Sequence, residues 1–293
     1  MTRQSVLSVT SLYVALAIAS PLLHAQRASQ RTFATPEQAA EALKTAAAAS
    51  TVTELQAIFG ADGKELFASS DPATSRRNRE VFTVAMAEGW RLQDLDTKRK
   101  TLIVGNENWP FPVPLVKSGS YWRFDTAAGK EEVIARRIGH NELAAIATCR
   151  AYVKAQHSYA AKGHDGNPAG LYATALRSDP GKQNGLYWPT ERGQPRSPLG
   201  DLVAQAAEEG RPMGTGERPT PFHGYKFKML ASPGGFALLA WPVEYDVTGV
   251  MTFVVNQDGV VHEKDLGGKT HATIAGIASY KPDKSWRPVA TAR

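Results

Sequence analysis

The sequence contains a single cysteine, Cys149, among its 293 residues. One cysteine cannot form an intramolecular disulfide, so stability outside the cytoplasm has to come from a packed core alone. Cys149 follows Leu143 and Ile146 and precedes Val153 at helical spacing. We therefore expect a buried thiol rather than a reactive one. No cysteine lies at the cleavage point that follows the N-terminal apolar segment, which excludes a lipoprotein.

Long apolar runs are also scarce, and the one near the N-terminus has the features of a secretory signal peptide. Arg3 precedes an apolar stretch from Val6 to Ala19, and a small-residue cleavage site, Leu23-His24-Ala25, follows. We predict cleavage after Ala25. An uncleaved anchor is the alternative, but the stretch is short and interrupted by serines. Because no later segment approaches the roughly 20 apolar residues of a membrane span, the predicted location is periplasmic or secreted.

Motifs for catalysis, metals and cofactors are missing from the sequence. There is no G-x-S-x-G, S-x-x-K or H-E-x-x-H, and the glycine-rich stretches do not follow strands as phosphate loops do. The only compact histidine pair, His157 and His164 followed by Asp165, lacks the ligand spacing of a zinc site. We predict no catalytic residue, no metal and no cofactor. A hydrolase remains the runner-up hypothesis, and it requires that His223, Glu244, Asp246 and His262 converge in one pocket.

Positive charge is in excess but scattered along the chain. The 34 Lys and Arg residues exceed the 28 Asp and Glu residues, for a formal net charge of +6. Without a basic and aromatic recognition motif, nucleic acid is not expected as a partner. The charge suits contact with an anionic envelope polymer or an envelope protein.

The order of helix and strand patterns along the chain predicts an α+β fold. A signal peptide (1–25) and a linker (26–32) precede an N-terminal α+β domain, residues 33–129. Its first helix has Thr35 as N-cap, Pro36 at the first position and Gln38 closing a capping box. A second helix ends at Gly60, and a third places its apolar side chains near one face: Val81, Val84, Ala85 and Met86. Alternating segments then predict a curled antiparallel sheet, in which the prolines at 110, 112 and 114 restrict their stretch to an edge or a bulge.

Residues 130–293 predict a long helix packed on an antiparallel β-meander. Gly139 is a candidate break in the helix, with Asn141 capping a second segment. Four strand patterns separated by turns and a final helix near residues 269–278 end the chain. In "TFVVNQDGVVHEKDLG", Asn256 and Asp258 supply too few oxygens for calcium. Gly259 can supply the positive φ of a tight turn, so we predict a hairpin rather than a site.

Aromatic side chains in predicted loops either cover a core, which is the commoner case, or form a platform for sugars or peptides. The candidate ligand-binding residues are Tyr187, Trp188, His223, Trp241 and Tyr245.

Several phrases resemble a family of secreted bacterial proteins, domain-of-unknown-function family 2950. They are "FATPEQAAEAL", "RRIGHNELAAI", "GLYWP", "FHGYKFKML", "GFALLAWPVEYDVTGVMTFVVNQDGVVHEKDLG" and "SWRPV". The resemblance implies no established activity, ligand or catalytic residue. This chain departs from it between Leu230 and Gly235, where a short turn replaces the longer insertion of many relatives.

The C-terminal part also resembles the globular part of type IV pilins and pseudopilins, in which a helix lies across an antiparallel meander. The apolar assembly helix of pilins is absent, so this similarity gives no function. The sequence predicts a secreted envelope protein of unknown molecular function, most simply a non-catalytic binding or accessory module. The alternatives are the hydrolase and a structural partner of an envelope assembly.

Overall fold

The computed structural model describes residues 30–49, 51–67, 72–191, 193–208 and 221–290. The predicted signal peptide, and the linker up to residue 29, lie outside the described residues. Within the described part, no helix is both long enough and apolar enough to cross a bilayer.

The first half of the chain consists of short helices followed by an antiparallel sheet. The helices are α1 (Pro36–Ala48), α2 (Val52–Phe59), a 3-10 turn (Ala61–Gly63), α3 (Lys64–Phe67) and α4 (Pro72–Glu88). The strands are β1 (Trp90–Asp94), β2 (Arg99–Val104), β3 (Trp109–Pro110), β4 (Leu115–Ser118) and β5 (Tyr121–Phe124).

Two predicted helix boundaries are confirmed. Thr35 Oγ1 accepts a hydrogen bond from the Gln38 backbone N–H at 3.2 Å, as an N-cap should. The Gln38 side chain reaches back to the N–H of Ala34, the residue before the cap. At the other boundary, α2 ends at Gly60, whose φ of 78° suits glycine.

The predicted apolar face of α4 is wrong at two positions. Val81 is 64% exposed and Val84 is 61% exposed, whereas Met86 is buried and Phe82 and Ala85 pack against the core. At about 100° per residue, Val84 lies roughly 160° around the helix from Met86. The buried stripe is therefore centred on Phe82 and Met86, and the two valines face outward.

The first sheet has the strand order β1-β2-β4-β5, and β3 pairs with β2. The proline-rich stretch pairs over only two residues, with Pro110 opposite Ile103, as its prolines predict. Phe33 bridges to Trp122 beside β5. A first hydrophobic cluster lies between the sheet and the helices, and it includes Phe33, Leu43, Ile58, Met86, Leu102, Leu115 and Phe124.

Helix α5 (Thr126–Ala160) is continuous over 35 residues. The expected break at Gly139 is therefore wrong, because a single glycine costs a helix only about 1 kcal/mol and α5 packs at both ends. Asn141 lies inside the helix, and its side chain donates to the Thr248 carbonyl instead of capping. Leu143 is 71% exposed, which corrects its place in the apolar register, but Cys149 is fully buried as predicted.

The second half contains a short parallel strand pair, a helix and a larger antiparallel sheet. Its elements are β6 (Ala175–Arg177), β7 (Gly185–Tyr187), α6 (Gly200–Glu208), β8 (Tyr225–Leu230), β9 (Ala237–Pro242), β10 (Met251–Asn256), β11 (His262–Asp265), α7 (Thr270–Ala275) and β12 (Arg287–Pro288). The order β12-β11-β10-β9-β8 follows the chain with antiparallel pairs, which confirms the predicted meander.

Strands β9 and β10 are buried on both faces of this second sheet. On one face, Leu238, Phe253 and Val255 pack with α5 in a second hydrophobic cluster. On the other face, Leu239 and Val254 belong to a third cluster, which is covered by the C-terminal segment, residues 266–286. Burial on both sides explains why the two strands read as almost continuous apolar runs.

The turn between β10 and β11 has the geometry predicted for it. Gly259 has φ 78°, and its N–H donates to the Asn256 carbonyl at 3.0 Å. Asn256 Oδ1 accepts from the Asp258 N–H at 3.2 Å, and Asn256 Nδ2 donates to Asp258 Oδ2 at 2.9 Å. Both polar side chains are engaged within the turn itself.

Candidate functional site

A cleft with a volume of about 290 Å³ lies beside the first turns of α6. One wall is the loop after β7, residues 187–190. The other wall is formed by Arg196, Ser197 and the helical positions Gly200, Val203 and Ala204.

The aromatic wall is held by the parallel pair of β6 and β7. The Tyr187 carbonyl accepts from the Ser178 N–H at 2.8 Å, and the Leu186 carbonyl accepts from the Leu199 N–H at 2.9 Å. Gly185 allows this close approach, since a Cβ there would lie 2.6 Å from the Arg177 carbonyl carbon. Tyr187 and Trp188 are thus fixed at the end of a strand whose Leu186 is fully buried.

Side-chain contacts further orient the two aromatic rings. The Arg177 guanidinium lies 5.5 Å from the centroid of the Tyr187 ring, within the range of a cation–π contact. The Trp188 ring is 5.4 Å from that of His164, which in turn stacks on Tyr159 at 4.2 Å. Both rings remain partly exposed, as a binding platform requires.

The opposite wall combines the polar residues Arg196 and Ser197 with small and apolar helical positions. Arg196 Nη1 lies 2.6 Å from Asp201 Oδ1, so an ion pair stands beside the cleft. Ser197 is only 4% exposed, and its Oγ has no hydrogen-bond partner among the described residues. Buried polar groups are nearly always hydrogen-bonded, so this shielded hydroxyl is an unusual feature of the wall.

The other predicted binding residues lie elsewhere. His223 is buried just before β8 with φ 45°, and its ring meets that of His140 edge-to-face at 5.6 Å. Trp241 lies on the face of the second sheet that the C-terminal segment covers. The Tyr245 hydroxyl donates to Asp265 Oδ2 at 3.3 Å. The structure therefore brings Tyr187 and Trp188 together and separates them from these three residues.

The acid–base set of the hydrolase hypothesis does not converge. His223 precedes β8, whereas His262 lies in β11, opposite Val254. Three strand spacings separate these strands, about 14 Å at 4.8 Å per spacing. Nor do the described residues include a group of three or more His, Cys, Asp or Glu side chains that could hold a metal ion.

A polar junction between α5 and the second sheet went unpredicted. Glu142 Oε1 accepts from the N–H groups of Val250 and Met251, both at 2.9 Å. The Tyr225 hydroxyl donates to the Met251 carbonyl at 2.8 Å. Burial, and then the nearby charge of Glu142, raises the pKa of Tyr225 above its ordinary value. More than a hundred residues separate Glu142 from its partners, and no local sequence signal indicates such a contact.

Comparison with known proteins gives one result. A family model described as "Protein of unknown function (DUF2950)" matches residues 30–289. No curated protein and no solved structure matches the chain. The similarity to pilins therefore stays a prediction.

Proposed function

The chain belongs to the DUF2950 family of proteins of unknown function, and we propose that it is a non-catalytic binding protein of the bacterial cell envelope. In this proposal, the signal peptide of residues 1–25 directs the chain out of the cytoplasm. The cleft beside α6 then holds one sugar ring of an envelope glycan.

The observation that carries the proposal is the combination of the two walls of the cleft. Tyr187 and Trp188 offer flat faces for the C–H side of a sugar ring. Ser197 lines the cleft, and its buried hydroxyl has no hydrogen-bond partner among the described residues. The Arg196–Asp201 pair offers both donors and acceptors. The volume of about 290 Å³ lies at the lower end of the range for ligand pockets, which favours a single ring over a long oligomer.

The environment of the only cysteine argues against that residue as a nucleophile. Cys149 is fully buried, and burial raises the pKa of its thiol to about 12. The thiolate is the nucleophilic form of cysteine, so at neutral pH this side chain is a poor nucleophile. It serves the core instead, where it packs in the second cluster.

Calorimetric titration tests the proposal with soluble peptidoglycan fragments and with neutral oligosaccharides as ligands. Trp188→Ala should weaken binding about tenfold, which corresponds to about 1.4 kcal/mol for one lost stacking contact. Ser197→Ala should weaken it less, because only one hydrogen bond is lost. Trp109→Ala is the matched control, since Trp109 is 44% exposed and lies in the first sheet.

Each outcome bears on the proposal. Binding that both cleft variants weaken while the control does not supports it. If the parent protein binds none of these glycans, or if all three variants bind as the parent does, the cleft is not a glycan site. Thermal melts of each variant show whether a loss of binding reflects a loss of folding.

A further inference from the structure

Four side chains form a row across the covered face of the second sheet. Lys226 in β8 lies opposite Trp241 in β9, and Thr252 in β10 lies opposite Lys264 in β11. The β9–β10 register pairs Phe253 with Ala240, and continuing it by one residue places Thr252 opposite Trp241. The row therefore runs Lys226, Trp241, Thr252, Lys264 on the face covered by the C-terminal segment.

The two central members of the row have unmet hydrogen bonds. Trp241 is 8% exposed and Thr252 is fully buried. Neither Trp241 Nε1 nor Thr252 Oγ1 has a hydrogen-bond partner among the described residues. Directly opposed side chains on neighbouring strands have Cβ atoms about 5 Å apart, so Trp241 and Thr252 are direct neighbours on this face. Two neighbouring orphaned polar groups are rare in a buried sheet face.

The charges around the row are mostly positive. Lys226 is half-buried and has no ion-pair partner among the described residues. Lys264 Nζ lies 5.9 Å from the centroid of the Trp286 ring. One carboxylate, that of Asp283, lies near Lys264. Hydrogen bonds from Ser285, and then the charge of Lys264, lower the pKa of Asp283.

The next row of the same face adds further basic groups. Lys228 Nζ donates to the Ile277 carbonyl at 3.4 Å. His262 Nδ1 lies 3.5 Å from the Tyr280 hydroxyl. A second carboxylate, that of Asp258, lies close enough to affect this face. Burial, and then the charge of Asp258, raises the pKa of Tyr280. Positive charge exceeds negative charge beneath the C-terminal segment.

We propose that the row binds a small monovalent anion of the size of chloride, between Trp241 Nε1 and Thr252 Oγ1. The indole N–H can only donate and the hydroxyl can donate, so the two atoms suit an acceptor better than a donor. Lys226 and Lys264 on either side offset its charge. The site lies on the second sheet and therefore differs in ligand and place from the cleft. The bound ion would hold the C-terminal segment on the sheet.

Thermal unfolding of the full mature chain tests this site. Sodium chloride is titrated against sodium gluconate at constant ionic strength. A ligand of the native state raises the melting temperature in proportion to ln(1 + [L]/Kd), so the parent should melt a few degrees higher in chloride, and the difference should grow with the logarithm of the chloride concentration above Kd. Thr252→Val and Lys226→Gln should both abolish the chloride dependence. Lys117→Gln, a change of an exposed lysine in β4 of the first sheet, should retain it.

Crystals grown in sodium bromide give a second readout. An anomalous peak within hydrogen-bonding distance of both Trp241 Nε1 and Thr252 Oγ1 supports the proposal, whereas a water at that position overturns it. Equal melting of the parent in chloride and gluconate also overturns it, as does chloride dependence that persists in Lys226→Gln. Because Lys226 is only half-buried, this variant still answers the question if Thr252→Val does not fold.

Discussion

Replacing Glu142 with alanine should lower the free energy of unfolding by about 2–4 kcal/mol. The side chain projects from the middle of α5, and its Oε1 accepts from two backbone N–H groups, those of Val250 and Met251. These groups open β10, the central strand of the second sheet. The substitution therefore removes a tie between the long helix and the start of that strand.

The magnitude follows from the two hydrogen bonds. A bond to a charged group contributes about 1.5–3 kcal/mol, and an orphaned buried donor costs about 1–3 kcal/mol. Both bonds share one oxygen at a partly buried position, so their contributions overlap and we take the lower part of the summed range. Glu142→Gln keeps an acceptor oxygen but loses the charge, so it should cost only about 1 kcal/mol.

Urea denaturation followed by circular dichroism measures both variants, since the midpoint and slope give the free energy of unfolding. Glu131→Ala is the matched control: Glu131 is exposed on the same helix, and its loss should change stability by less than about 0.5 kcal/mol. The reasoning is refuted if Glu142→Ala is no less stable than this control. It is also refuted if Glu142→Gln is as destabilised as Glu142→Ala, because the acceptor geometry would then contribute nothing.

Two further predictions concern glycine and pH. Gly259→Val should destabilise the protein by about 1–2 kcal/mol through strain at φ 78°, measured by urea denaturation. An unchanged midpoint would mean that the turn tolerates a side chain. Burial raises the pKa of the Cys149 thiol to about 12 from an ordinary value of 9.0. As the pH rises, the unfolded chain therefore loses this proton before the folded chain does. The free energy of unfolding should fall as pH rises from 9 toward 12. Over that window the parent should lose stability more steeply than Cys149→Ala, by at most about 1.4 kcal/mol per pH unit; parallel curves would contradict the buried thiol.

Features that depend on neighbouring residues could be predicted from the sequence. The cap at Thr35 and the turn at Gly259 each need only a few side chains, and the structure confirms both. The meander also follows from local patterns, because short turns join strands that then pair with their chain neighbours.

Features that depend on tertiary packing could not be predicted from the sequence. The outward faces of Val81 and Val84 are set by what covers α4 rather than by its own composition. The continuity of α5 through Gly139 depends on packing at both ends of the helix. The sequence singled out Tyr187 and Trp188, but the wall opposite them begins at Arg196 and was not predicted.

The domain division predicted at residues 33–129 and 130–293 stays a proposal. Its support is that the first cluster draws its buried side chains from Phe33 to Phe124. The second and third clusters draw theirs from Ala145 to Ile274. Helix α5 begins in the first region and continues through the second, at about 1.5 Å per residue.

The covering of the second sheet by residues 266–286 has a consequence for the order of folding. Leu239, Trp241 and Val254 lose contact with water on this face only when the segment around Ile274 docks. A growing chain therefore presents a bare apolar surface until residues 266–286 are available, and such a surface promotes aggregation. Truncation before Ile274 should yield an insoluble product even though β8 to β11 are retained, because the segment that covers this face is then missing.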